Sequence, residues 1–210
     1  MTDRARAKKI FDILKKLYPS VKSALSYQNP FELLIATILS AQCTDERVNI
    51  VTKNLFKKYR SPKDYLLVPA EELEKDIFST GFYKQKAKSI RNCCSVLIDN
   101  YKGKVPADFE ELTKLPGVGR KTASVVAGNA FGIPSIAVDT HVVRLSNLLG
   151  FVETKDPVKI EFKLKEIIPE KDWIITGDFL MAHGRKICIA RRPKCPECKI
   201  NGYCPSYQNK

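Results

Sequence analysis

The stretch Asn29–Pro30–Phe31–Glu32 and the apolar run that follows it, FELLIATILSAQ, constrain this chain most. Asn supplies a side-chain acceptor at a helix cap, Pro suits the first helical position, and an acid follows three residues after the cap. The run behind this signal is apolar on most faces, so its helix must be wrapped by other elements. The rest of the chain supplies them. Thr44–Asp45 caps a helix with Val48, Val51 and Leu55 on one side, and Glu71 to Thr80 closes at Gly81. Ala87, Ile90, Cys94, Leu97, Ile98 and Tyr101 stripe a helix ending near Gly103, and Asp108 opens a short one. Asp139, Asp156–Pro157 and Asp172 start three more, the last closing at Gly184 after His183. Period-2 alternation is confined to IPSIAV, so the expected class is all-α.

Charge is the next constraint. In 210 residues, 36 Lys and Arg oppose 23 Asp and Glu, a net charge of +13. A surplus of that size points to a polyanion, either nucleic acid or an anionic membrane surface, although solubility alone also uses charge. No window approaches 18 unbroken apolar residues, so no membrane span is expected. The basic N-terminal segment carries Ile10, Ile13, Leu14 and Leu17 on one narrow stripe, which fits a docked helix better than a signal peptide or a surface anchor. Seven unevenly placed cysteines do not make a disulfide framework. Reduced thiols in a cytoplasmic protein fit better.

Mid-chain, LPGVGRKTA (Leu115–Ala123) places two glycines before a helix start. Gly117 and Gly119 permit backbone angles and close approach that a Cβ would obstruct. The unpaired N–H groups opening the next helix suit a phosphate oxygen, a grip that does not read sequence. A plain helix–helix turn explains the same glycines. Arg120 and the overall charge favour the phosphate. Lys121 falls in the first helical turn, where the dipole and any desolvation favour the neutral, nucleophilic amine. Phosphate contact or simple solvent exposure is the alternative. Asp139, in AVDTHVVRL, is an N-cap by position and a carboxylate able to stabilise developing positive charge; the two roles are compatible. His141 and His183 read as packing or hydrogen-bonding residues.

Cys188, Cys195, Cys198 and Cys204 fall within 17 residues as C-x6-C-x2-C-x5-C, which indicates a metal; spacing leaves zinc and an iron–sulfur cluster both open. Arg191, Arg192 and Lys194 lie between the first two, where ligation on both sides would present three cations as one unit. Cys43, Cys93 and Cys94 read as small buried residues on apolar helical faces.

LPGVGRKTA, then AVDTH about 20 residues later, then the cysteine pattern, resemble the endonuclease III family of DNA glycosylases, as do LSAQCTDERVN and TGFYKQKA. The resemblance runs through essentially the whole chain. It implies a helix–hairpin–helix fold with two α-helical domains flanking a DNA-binding cleft. One, 23–133, is a six-helix domain holding the hairpin. The other joins 1–22 to 134–210 and carries a [4Fe–4S] cluster on Cys188, Cys195, Cys198 and Cys204. It further implies excision of oxidised pyrimidines from duplex DNA by a monomer, with Lys121 as nucleophile and Asp139 as its partner, in a cytoplasmic, nucleoid-associated setting. Damaged bases and abasic sites in double-stranded DNA are then the substrate. Gln42 and the residue after Gly81 would fill the gap left by the extruded nucleotide; family members often carry an aliphatic residue there, and this chain has Phe82.

Two other readings compete. An adenine-mismatch glycosylase would lack the hairpin lysine, carry a Glu late in the Phe31–Gln42 helix and add a C-terminal domain; here Lys121 is present and that helix reads Ile38–Leu39–Ser40. A non-catalytic DNA-binding or redox-sensing module would use hairpin and cluster without chemistry. The joint presence of Lys121 and Asp139 argues against it.

Overall fold

A computed structural model describes residues 2–20 and 24–208, and the backbone separates into two compact units, Met1–Lys22 with Pro134–Lys210, and Ser23–Ile133. The expected junction between 22 and 23 lies outside the described residues. The described residues form helices, turns and irregular segments with no strand.

The first unit opens with α1 (Asp3–Leu17), capped by the Thr2 side chain, which accepts from the Ala5 N–H. Ile10 and Leu14 of the expected stripe are buried with Ala7 and Phe11, whereas Leu17 is exposed.

The second unit begins with α2 (Pro30–Leu39), and the opening signal works as expected. Asn29 accepts from the Glu32 N–H at 3.0 Å, while the Glu32 carboxylate accepts from the Gln28 N–H at 2.7 Å. Leu33 to Leu39 are all buried, so α2 is the axis around which the unit packs. Thr44 caps α3 (Asp45–Lys58), which turns Val48 and Leu55 inward. A short helix absent from the sequence reading, α4 (Pro62–Leu67), starts from a reciprocal Ser61–Asp64 capping box. Among the described residues this unit holds seven α-helices. α5 (Ala70–Ile77) continues through a 3-10 turn, Phe78–Thr80, to Gly81 at φ 71°. α6 (Tyr83–Tyr101) buries Lys86, Ala87, Ile90, Cys93, Cys94 and Leu97. α7 (Phe109–Lys114), capped by Asp108, leads through the glycine turn to α8 (Arg120–Phe131), which packs against α2.

The chain re-enters the first unit through an extended segment and continues with α9 (Thr140–Leu148), α10 (Pro157–Ile167) and α11 (Trp173–Lys186). A short α12 (Pro205–Gln208) follows the cysteine loop. Asp139 and Asp156 cap α9 and α10 through their side chains, but Asp172 makes no side-chain cap. Gly184 does not end α11, which runs on to Lys186. A Cβ at Gly184 would sit 2.7 Å from His141 Nδ1, so this glycine serves close packing between α9 and α11. Gly177 does the same against the Ala137 carbonyl, at 2.8 Å, which seats the segment leading to Asp139 directly on α11.

Candidate functional site

In the second unit, the two hairpin glycines do different work. Gly117 adopts φ 79°, and a Cβ there would meet the Ser89 Cβ on α6 at 2.8 Å. Gly119 caps α8 in ordinary extended backbone (φ −86°) with open space around it. The fold thus requires a bare Cα at Gly117 but not at Gly119, whose missing side chain leaves the start of α8 clear. Val118, between them, is buried and pins the turn to the core. The Arg120 guanidinium lies over the Phe109 ring, 5.0 Å from its centre, tying α7 to α8. Lys121 is the second residue of α8 and its side chain is exposed.

Gln42 and Phe82 belong to the same unit and share a backbone peculiarity. Both are non-glycine residues in left-handed conformation, at φ 52° and 49°, and both side chains are exposed, Phe82 by 65%. Such backbone costs free energy and persists only where the surroundings impose it. Cys43, next to Gln42, lies in a turn and is only partly buried, unlike the buried Cys93 and Cys94. The helical face expected for it ends at Leu39, because Ser40 to Thr44 make the turn.

In the first unit, Asp139 is half-buried and its carboxylate accepts from the Val142 N–H at 2.8 Å. Asp178, on α11, was not visible in the sequence pattern. Burial, aided by the nearby Asp139 charge, pushes its carboxyl up to about 6.

Cys188, Cys195, Cys198 and Cys204 line one apolar cavity together with His183, Leu145 and Ile200. All four are free thiols. Among the described residues they do not converge to the spacing of a single-ion site. Burial, with the neighbouring thiols adding to it, raises Cys188 and Cys198 above the usual thiol range. His183 is buried, and burial pushes its imidazole down to about 4, which keeps it neutral. Its Nδ1 lies 3.0 Å from the Tyr18 hydroxyl and its Nε2 3.4 Å from Cys198 Sγ. A tyrosine donating to Nδ1 selects the tautomer that points an N–H at the sulfur. Arg144 was also missed by sequence reading: its guanidinium donates to the Cys188 carbonyl at 2.8 Å and the Gly184 carbonyl at 3.3 Å. It neutralises the end of α11 where the cysteine loop begins, and its charge favours the Cys188 thiolate.

The intervening loop is closed by the Lys194 N–H donating to the Ile187 carbonyl at 2.9 Å. Arg191, Arg192 and Lys194 all project into solvent. No helix among the described residues is long and apolar enough to cross a membrane.

Residues 35–170 match the family described as HhH-GPD superfamily base excision DNA repair protein. An endonuclease III of Synechocystis is 48% identical over 206 residues, covering 98% of this chain and 94% of that protein. One from Bacillus subtilis is 49% identical over 200 residues, covering 95% of this chain and 91% of the relative. A solved structure of a trapped endonuclease III–DNA covalent intermediate superposes with a TM-score of 0.94 at 50% identity, covering 100% of this chain and 99% of that one.

Proposed function

Because the chain belongs to the endonuclease III family, within the HhH-GPD superfamily of base excision DNA repair proteins, we propose that it removes oxidised pyrimidines of the thymine-glycol type. It is a DNA glycosylase and abasic-site lyase acting on duplex DNA. The observation that carries the residue assignment is the exposed Lys121 amine one residue into α8, behind a glycine turn that leaves the helix start clear.

The target base must leave the stack to be reached, at a cost of a few kcal/mol. Gly117 and Gly119 let the turn approach a phosphate through backbone N–H groups, and Gln42 and Phe82 fill the gap left by the extruded nucleotide. Arg120, Arg191, Arg192 and Lys194 add charge toward the backbone. Lys121 is exposed in the free protein, where an extruded nucleotide can reach its amine. The amine attacks sugar C1′, the C1′–N bond breaks, and the base departs with the bonding pair and takes up a proton. The attached nitrogen sheds a proton and its lone pair opens the sugar ring: the C1′–O4′ bond breaks, O4′ takes up a proton, and Asp139 stabilises the cationic iminium that forms. That iminium acidifies C2′; loss of its proton expels the 3′ phosphate, and hydrolysis returns the lysine. One side chain thus serves both activities.

We assign the metal as a [4Fe–4S] cluster on the four cysteines. Four cysteine thiols around one apolar cavity are a donor set that suits such a cluster. Its contribution is structural: it fixes the loop carrying Arg191, Arg192 and Lys194. The enzyme acts as a monomer on chromosomal DNA.

Borohydride trapping on duplexes carrying single lesions tests the assignment. Wild-type protein becomes linked to a thymine-glycol duplex and nicks it; Lys121→Ala does neither. Full-rate base release by Lys121→Ala would overturn the role of Lys121, and unlinked wild type would favour a non-catalytic DNA-binding module.

A further inference from the structure

Lys86 is a buried cation that the reaction does not use, with 5% of its surface exposed. Burial costs an ammonium free energy and lowers its pKa, so its retention needs compensating bonds. They come from the backbone. Nζ donates to the Leu39 carbonyl at 2.7 Å and to the Thr80 carbonyl at 2.8 Å. Leu39 is the last residue of α2 and Thr80 the last of the 3-10 turn, so the cation sits where helix-ending carbonyls gather negative charge. At α2 the neighbouring orphans are met locally: the Ser40 hydroxyl donates to Thr37 and the Ala41 N–H to Ile38. Leu39 is met from across the fold.

Those two carbonyls stand just before the two left-handed residues. Gln42 follows Leu39 by three positions and Phe82 follows Thr80 by two. The Lys86 N–H also donates to the Phe82 carbonyl, at 3.0 Å. One residue therefore holds the chain ahead of both tips and behind one of them. Two separate turns, each in strained backbone, would otherwise relax independently, and ordering them would be charged against DNA binding.

We propose that Lys86 is a positioning residue whose amine bridges the Gln42 and Phe82 turns, presetting the two side chains as a pair for the space vacated by the extruded nucleotide. The inference rests on the gap-filling role given to Gln42 and Phe82 above.

A mutant cycle on a thymine-glycol duplex tests it, with kcat/KM for nicking and the fluorescence of 2-aminopurine placed opposite the lesion as readouts. Lys86→Met keeps the stem and removes the donors. It should lose on the order of 10- to 100-fold in kcat/KM, the cost of misplacing a positioned group, together with the fluorescence change. In a Gln42→Ala/Phe82→Ala background the same substitution should add no more than about twofold, because the groups it positions are gone. Lys86→Arg, which retains donors, should recover part of the rate. Independent, multiplying losses in the two backgrounds would overturn the proposal and leave Lys86 a stabilising residue. Should Lys86→Met not fold, Lys86→Gln is carried through the same cycle. A Gln42→Ala/Phe82→Ala protein as active as wild type would sink the gap-filling reading and this inference with it. A wild type that is itself inactive and untrapped would indict the functional assignment instead.

Discussion

The Asp139 carboxylate accepts a 2.8 Å hydrogen bond from the Val142 N–H, so the residue proposed to stabilise the iminium also caps α9. The two roles separate on substitution. Asparagine caps a helix about as well as aspartate, whereas alanine forfeits roughly 1 kcal/mol. Asp139→Asn should melt within a degree or two of wild type yet cleave far more slowly, and Asp139→Ala should lose both stability and rate. Equal melting losses in the two variants, measured by calorimetry, would show that the cap is not what Asp139 contributes to the fold.

The glycine turn divides in the same way. Gly117 combines φ 79° with a Cβ position 2.8 Å from Ser89 Cβ on α6, so Gly117→Ala must push the turn away from the Ser89 side chain while holding a left-handed backbone. A loss of several kcal/mol is expected, on the order of other overpacked and strained sites. Gly119 has open space and extended backbone, so Gly119→Ala should fold nearly normally. Its methyl group would stand where a phosphate approaches, and duplex affinity should fall. Thermal melting and a binding titration on the same two proteins check both halves.

These contrasts mark what a sequence can and cannot show. Caps such as Asn29, Thr44, Asp108 and Asp156 are legible because donor and acceptor lie within three residues of each other. The cysteine loop is legible because its ligands are neighbours in the chain. Gly184 reads as a helix end because local rules see only its flexibility; the His141 ring that demands its bare Cα is 43 positions away. Nothing local distinguishes Lys86 from the other lysines of a basic chain, since both partners of its amine are backbone carbonyls that carry no side-chain signature. Asp178 and Arg144 escaped for the same reason: burial is set by tertiary packing.

The loop between Cys188 and Cys195 carries a prediction about salt. Arg191 and Arg192 are exposed on a segment closed by the Lys194–Ile187 backbone bond. If each side chain neutralises one phosphate, removing one should lower the slope of log affinity against log salt by about 1 without changing lesion preference. Arg191→Ala and Arg192→Ala, titrated on undamaged duplex across a salt series, supply the comparison. Replacing Cys198 with serine should release iron and acid-labile sulfide, and the same titration should then lose the contribution of the whole loop, because its rigid frame is gone.

Asp178 sets a pH dependence whose sign is unusual for a carboxylate. Its folded pKa, about 6, lies above the ordinary aspartate value because burial and the Asp139 charge penalise the anion. Below about pH 4 both folded and unfolded chains hold the proton and Asp178 contributes no penalty. As pH rises from there through 6 the unfolded chain ionises first, and stability falls by up to about 2–3 kcal/mol, most of it lost by neutrality. Asp178→Asn removes the charge and the penalty together. The variant should match wild type in denaturant melts at low pH and exceed it increasingly toward neutral pH. Parallel curves for the two proteins would mean that the Asp178 carboxylate is solvated well enough in the folded state to ionise without cost.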